Sequence, residues 1–176
     1  MSDGTERGTE LVKDIASGAT DSTPRNFIKF NNKIYFTAND GNTGREIWAS
    51  DGTNTGTYLI NDLNNGGDGS HPSELTVFNN NLIFAATTTS LGTELVKMSP
   101  SENISSLGNI NITGDSNPLD LIIYNNKLFF TANDGNKGRE LYSSNGFQSG
   151  TGLLADINSG TKSSNPRNFL VYNNIL

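Results

Sequence analysis

Apolar and β-branched residues come in short runs separated by breaks rich in Asn, Gly and Asp. No stretch keeps the period of about 3.6 residues that marks an amphipathic helix. The first full set of runs is Asn26–Phe30, Lys33–Ala38, Arg45–Ser50 and Thr57–Leu63. Asn31-Asn32 parts the first two, and Asn accepts the positive φ of a tight type I′ hairpin. The segments Asn39–Gly44 and Asp51–Gly56 reverse the chain twice more. The pattern predicts four antiparallel strands in meander order. A longer connection, Asn64–Ser70, then leads to Pro72, where the pattern restarts.

The restart is a repeat. Pro24, Pro72, Pro118 and Pro166 stand 48, 46 and 48 residues apart. Phe30, Phe78, Tyr124 and Tyr172 keep the same spacing, each followed by Asn-Asn. Gly44, Gly92 and Gly138 share the register, as do Glu46, Glu94 and Glu140. Framed on the Asp-Gly-Thr turns, the units run Asp3–Ser50, Asp51–Met98, Ser99–Ser144 and Asn145–Leu176. Runs such as Ile34-Tyr35-Phe36 and Leu121-Ile122-Ile123 place apolar groups on both faces of a sheet, so both faces need cover. Without helices the cover has to be further copies of the sheet. The expected fold class is therefore all-β, a β-propeller of four-stranded antiparallel blades with 46–48 residues per repeat. As a single domain over 1–176 it would hold three complete blades near 25–63, 73–112 and 119–157, with an incomplete fourth shared between 1–15 and 166–176. Its open ends predict a homo-oligomer, in which the ends of one copy complete those of another.

Composition agrees with a turn-rich β protein: 176 residues with 19 Gly and, by count, 26 Asn. A net charge of −6, from 12 basic and 18 acidic residues, argues against nucleic acid and anionic membrane surfaces as partners. No apolar run approaches the roughly 20 residues of a membrane helix, so no membrane insertion is expected. With no Cys there is no disulfide, thiolate nucleophile or Cys-bound metal. The N-terminus carries no export signal of its own.

The segment Gly44-Arg45-Glu46-Ile47-Trp48-Ala49-Ser50-Asp51-Gly52-Thr53, followed by Gly56-Thr57, resembles the bacterial ELWxxDGT repeat family. Gly8-Thr9-Glu10-Leu11-Val12-Lys13-Asp14-Ile15 and Phe36-Thr37-Ala38-Asn39-Asp40-Gly41 extend the likeness over nearly the whole chain. It weakens at Glu94-Leu95-Val96-Lys97-Met98-Ser99-Pro100, which lacks both the Trp and the Asp-Gly-Thr, and at Asn145-Gly146-Phe147. The resemblance implies a propeller from large, mostly extracellular bacterial proteins. It implies a strand order like that of the YVTN propellers, with the strand after the Pro loop innermost. It carries over no catalytic activity.

Candidate chemistry is sparse. His71 is the only His, in a loop position that no other repeat fills with His, and no G-x-S-x-G elbow accompanies it. No catalytic residue, metal site or cofactor is expected, so the chain reads as not an enzyme. Asn39-Asp40-Gly41-Asn42 and Asn133-Asp134-Gly135-Asn136 are oxygen-rich enough to attract Ca²⁺ but suit hairpin turns better. The recurring Glu on the third strand reads as a structural hydrogen-bond partner. Trp48 and Tyr142 occupy equivalent positions, with Val96 between them, and read as packing more than as a sugar platform. Arg25 and Arg167 follow their prolines, whereas Ser73 and Leu119 stand there in the other repeats, so the fold does not demand the charge. Meander topology places the Asn-Asp-Gly and Pro-Arg loops on one face. Arg25, Asp40, Asp134 and Arg167 are the expected ligand residues. The expected function is a non-catalytic binding or adhesion module from a secreted or cell-surface bacterial protein, with a protein or glycan ligand. The alternatives are a lectin with one shallow sugar site per blade and, third, a glycoside-active enzyme working through paired carboxylates.

Overall fold

The computed structural model describes all residues, Met1–Leu176, in two compact units, Met1–Pro72 and Ser73–Leu176. The protein is all-β. The first unit holds one sheet, made of β1 (Arg25–Phe30), β2 (Lys33–Asn39), β3 (Arg45–Ser50) and β4 (Tyr58–Asn61). The strands pair antiparallel in chain order. The second unit repeats the design twice. Its first sheet holds β5 (Ser73–Phe78), β6 (Asn81–Thr88), β7 (Gly92–Met98) and β8 (Ile104–Ser106). Its second holds β9 (Leu119–Tyr124), β10 (Lys127–Asn133), β11 (Arg139–Ser144) and β12 (Gly152–Ala155). A single 3-10 turn, Gln148–Gly150, leads into β12.

Local chemistry explains the strand ends. Both Asn residues after each recurring aromatic (Phe30, Phe78, Tyr124 and Tyr172) have positive φ, for example 45° and 62° at Asn31 and Asn32, as a type I′ turn requires. After each proline a second left-handed residue, Asn26, Glu74, Asp120 or Asn168, lies where the first strand begins. In all three sheets the register of the first and second strands slips across this residue. The recurring Gly44 and Gly138 allow the next connection to cross β3 and β11. A Cβ at Gly44 would lie 2.5 Å from the Gly69 nitrogen, and one at Gly138 would lie 2.7 Å from that of Ser163.

Each unit has its own core. In the first, Phe36, Ala38 and Trp48 are buried against Ile15 and Leu59, and Phe27 stacks on Phe36 with ring centroids 5.3 Å apart. In the second, Phe78, Ile83 and Leu95 of one sheet, with Leu107 just beyond β8, meet Leu128, Phe130, Ala132 and Tyr142 of the other. Each large apolar side chain fully buried there contributes about 1.5–3 kcal/mol.

The closed propeller expected from the repeat does not form. The chain makes three separate four-stranded sheets, and no ring or barrel closes. Two facts account for the difference. The need to cover apolar faces is met pairwise in the second unit, where two sheets share one core. Residues 1–24 contain no strand, and beyond β12 the only pairing is the Tyr172–Ile175 bridge around the Asn173-Asn174 turn.

Candidate functional site

The register fixes which loops share a sheet end. Arg25 lies opposite Thr37, and Asn39 opposite Arg45, so Arg25, Arg45 and the 40–44 loop gather at one end of the first sheet. In the third sheet, Leu119 lies opposite Thr131 and Asn133 opposite Arg139, which puts the Asp134 loop at the same end.

The three recurring glutamates sit just inside these ends, all with no solvent exposure. Each binds the connection that leaves its sheet. Glu46 accepts from the Ser70 nitrogen at 2.6 Å and from the Ser70 hydroxyl. Glu94 accepts from the nitrogens of Asn111 and Ile110 at 3.0 and 3.1 Å, and from the Ser116 hydroxyl at 2.7 Å. Glu140 accepts from the nitrogens of Ser164 and Ile157 at 2.7 and 2.8 Å, and from the Ser164 hydroxyl at 2.6 Å. Each buried charge is thus compensated by donors from one connection. Burial pushes the Glu46 carboxyl up to about 6, against the Ser70 and Leu63 donors, and the nearby Asp62 charge adds to the rise. Burial raises Glu94 as well. The cover over Glu140 is an exposed loop, so its donors outweigh desolvation and hold it below the usual range.

Asp40 and Asp134 cap their own turns. Asp40 Oδ1 accepts from the nitrogens of Asn42 and Thr43, both at 2.8 Å, and from the Thr43 hydroxyl at 3.1 Å. Asp134 Oδ1 accepts from the nitrogens of Asn136 and Lys137 at 2.9 and 2.7 Å. Partial burial pushes both carboxyls up, but these donors prevail and keep them below the ordinary value. The Asp-Gly-Thr turns are equally self-contained. Asp51 Oδ1 accepts from the nitrogen and hydroxyl of Thr53 at 2.9 and 2.7 Å.

The four expected ligand residues do not converge on one site. Arg25 and Asp40 belong to the first unit. There Arg25 is exposed, close enough to Arg45 that its charge adds to burial in lowering that guanidinium's pKa. Arg45 donates to the Thr23 and Thr37 carbonyls at 3.0 and 3.2 Å. Asp134 and Arg167 belong to the second unit and line different clefts. Arg167 shares one of about 390 Å³ with Arg139, Asp120 and Asn168. Asp134 lines another of about 270 Å³ with Tyr142, between the 108–110 connection and the third sheet. A cavity of the first unit, about 540 Å³, runs between residues 10–15 and the sheet, and none of the four residues lines it. His71 is exposed with φ 49°, and its nitrogen donates to the Arg45 carbonyl at 3.0 Å, so it serves the connection. Trp48 and Tyr142 both pack in cores; Trp48 Nε1 is buried without a hydrogen-bond partner, whereas the buried Tyr142 hydroxyl faces the Asp134 carboxylate.

Sequence reasoning missed Arg45 and Arg139 as neighbours of the Pro-Arg loops. A signal was present. Asp40, Arg45 and Trp48 in one repeat correspond to Asp134, Arg139 and Tyr142 in another, while the repeat between them has Thr88, Thr93 and Val96 at all three places. The trio comes and goes together. No family model matches this chain, and no curated protein matches it significantly.

Proposed function

We propose that the chain is a non-catalytic interaction or adhesion module of a secreted or surface-exposed bacterial protein, binding protein or glycan ligands through the loop ends of its repeated sheets. One observation carries this reading. The residues common to the repeats are used up in holding the fold, as the carboxylates of Glu46, Glu94 and Glu140 are by the connections they bind. The charged side chains that differ between repeats, Arg25 and Arg167 foremost, lie exposed at loop ends. A scaffold held by common residues and bearing variable exposed ones suits recognition. The location rests on the family resemblance of the Asp-Gly-Thr segments. Copies of the chain associate, because edge strands and apolar side chains such as Phe27 and Tyr172 remain uncovered.

The test is a panel of immobilised glycans and bacterial surface proteins probed with the purified chain. The expected result is saturable binding that falls on Arg25→Ala, Asp40→Ala, Asp134→Ala or Arg167→Ala while the folded spectrum is kept. Turnover of a model glycoside, lost when a buried glutamate is replaced by Gln in a folded variant, would overturn the reading.

A further inference from the structure

We propose that the first unit binds the glutamate side chain of an extended peptide, in a cradle formed by Ile15, Ser22 and Thr23. Each sheet of the protein shows what such a cradle holds. Glu46 is clasped by the Ser70 nitrogen and hydroxyl with Leu63, and Glu140 by Ser164 with Ile157. The residue before each recurring glutamate adds its carbonyl, which accepts from the nitrogen of His71, Asn117 or Asn165 at 3.0, 3.2 and 3.2 Å. Ile15, Ser22 and Thr23 stand 48 residues before Leu63, Ser70 and His71. The two segments are folded alike. Gly18 and Gly66 have φ of 90° and 110°, and Thr23 and His71 have φ of 40° and 49°. The Ser22 carbonyl accepts from the Asn39 nitrogen at 3.0 Å, as the Ser116 carbonyl does from Asn133 at 3.0 Å. No glutamate of the chain reaches this cradle. The nitrogens of Ile15, Ser22 and Thr23 and the Ser22 hydroxyl find no acceptor within the chain. Ile15 and Ser22 are nevertheless only partly exposed, so a charged guest there would be held by preset donors.

The cavity beside these donors fits the rest of such a peptide. Ile15 and Ser22 line the space of about 540 Å³ between residues 10–15 and the sheet, and Leu11, Phe27, Ile34 and Phe36 form its apolar wall. An aliphatic residue follows the glutamate in every sheet, as Ile47, Leu95 and Leu141. Leu95 is buried against Leu128 and Phe130, which are the counterparts of Ile34 and Phe36. A Glu-Leu pair added as a strand beside residues 11–13 sets its leucine against Ile34 and Phe36. Residues 11–13 pair with no strand. Met1 occupies the next place along, exchanging main-chain bonds with Glu10 at 2.8 and 2.6 Å where Ala49 pairs with Tyr58. The peptide therefore stops just short of Met1. A second copy does not supply it from its own glutamate strands, since β3, β7 and β11 are paired on both sides. The guest is an acidic peptide of another protein. Asp14 opposes its charge, as Asp62 opposes that of Glu46, which is bound all the same. The site uses none of Arg25, Asp40, Asp134 and Arg167, so it goes beyond the module reading and is tested apart from it.

The probe is acetyl-Ala-Glu-Leu-amide, titrated at about pH 7 into the isotope-labelled full chain and followed through backbone amide resonances. Saturable shifts are expected at Ile15, Ser22 and Thr23, with a dissociation constant of about 1 mM, in the range of a short flexible ligand. The Ser70 and Ser164 amides should stay in place, because their donors already hold Glu46 and Glu140. Acetyl-Ala-Gln-Leu-amide should bind about tenfold more weakly, and Ser22→Ala should weaken the glutamate peptide by a similar factor. That variant keeps its fold, since the Ser22 hydroxyl bonds to nothing else in the chain. Sodium propionate carries the same carboxylate without the strand or the leucine, and should move the three amides only at far higher concentration. The proposal is overturned if the glutamate peptide fails to move them, if the glutamine peptide or propionate does so equally well, if the Ser70 and Ser164 amides move alongside, or if Ser22→Ala binds like the parent.

Discussion

A glutamate with no solvent exposure that serves as a tie for a loop leaves a pH signature. The Glu46 carboxyl rises to about 6 when folded, against 4.5 as its ordinary value, so between these limits the folded chain holds a proton that the unfolded chain releases. Its contribution to stability is complete below the ordinary value and is lost as pH rises through the folded one. A shift of this size is worth about 2 kcal/mol. Asp40, Asp134 and Glu140 are lowered and act oppositely, losing stability as pH falls. Glu94 is raised as well and acts in the same sense as Glu46, so denaturant titrations at pH 7 and pH 5 should show a gain on acidification that Glu46→Gln reduces; an undiminished gain in the variant would refute the assignment. Glu46→Ala leaves the buried Ser70 nitrogen without its acceptor and should cost about 1–3 kcal/mol. Gly44→Ala meets both a left-handed φ of 73° and the Gly69 nitrogen. A loss of about 1–3 kcal/mol is expected, read as a lowered melting temperature.

At the scale of the element, the Asn-Asn turns decide the hairpins. Asn32→Ala places a Cβ at a left-handed φ of 62° and should cost roughly 1–2 kcal/mol, whereas Asn32→Gly should cost little. Equal stabilities for the two variants would show that the turn does not set the register. These hairpins were legible in the sequence because few residues tolerate two successive positive φ values, and the surrounding runs carry strand-forming side chains. The four-stranded meander and the role of the recurring glutamates were legible for the same reason, each being written within one repeat. The slip after each proline was not legible, because Asn26, Glu74, Asp120 and Asn168 share a backbone conformation without sharing a side chain. Nor was the cleft that Arg139 and Arg167 both line, or the cleft at Gly108, since both depend on how one repeat meets the next.

Across the whole molecule, ring closure was the expectation that the structure corrected. Periodicity reveals how many sheets a chain makes and which faces are apolar, but the covering of those faces is a tertiary outcome. In the second unit two sheets cover each other, and Phe130→Ala at the middle of their shared core should cost about 3–5 kcal/mol. A smaller loss in chemical denaturation would mean that the core is looser than its burial implies. For the chain as a whole, Phe27, Leu170, Tyr172 and Ile175 remain largely exposed. Light scattering at micromolar concentration should return a mass above the 18.9 kDa of one chain, and a monomer at that mass would dismiss self-association.

The glutamate tie also determines where such an array can be cut. Glu46 and its partner Ser70 stand 24 residues apart, and the second partner lies just ahead of the proline that opens the next sheet. A truncation after Pro72 leaves the carboxylate covered. A truncation after Ser50, where the Asp-Gly-Thr motif invites a boundary, strips it of its donors. Minimal fragments, chimaeras and gene duplications of this chain should therefore survive in one phase of the repeat and misfold in the other, although both phases contain the same 48-residue period.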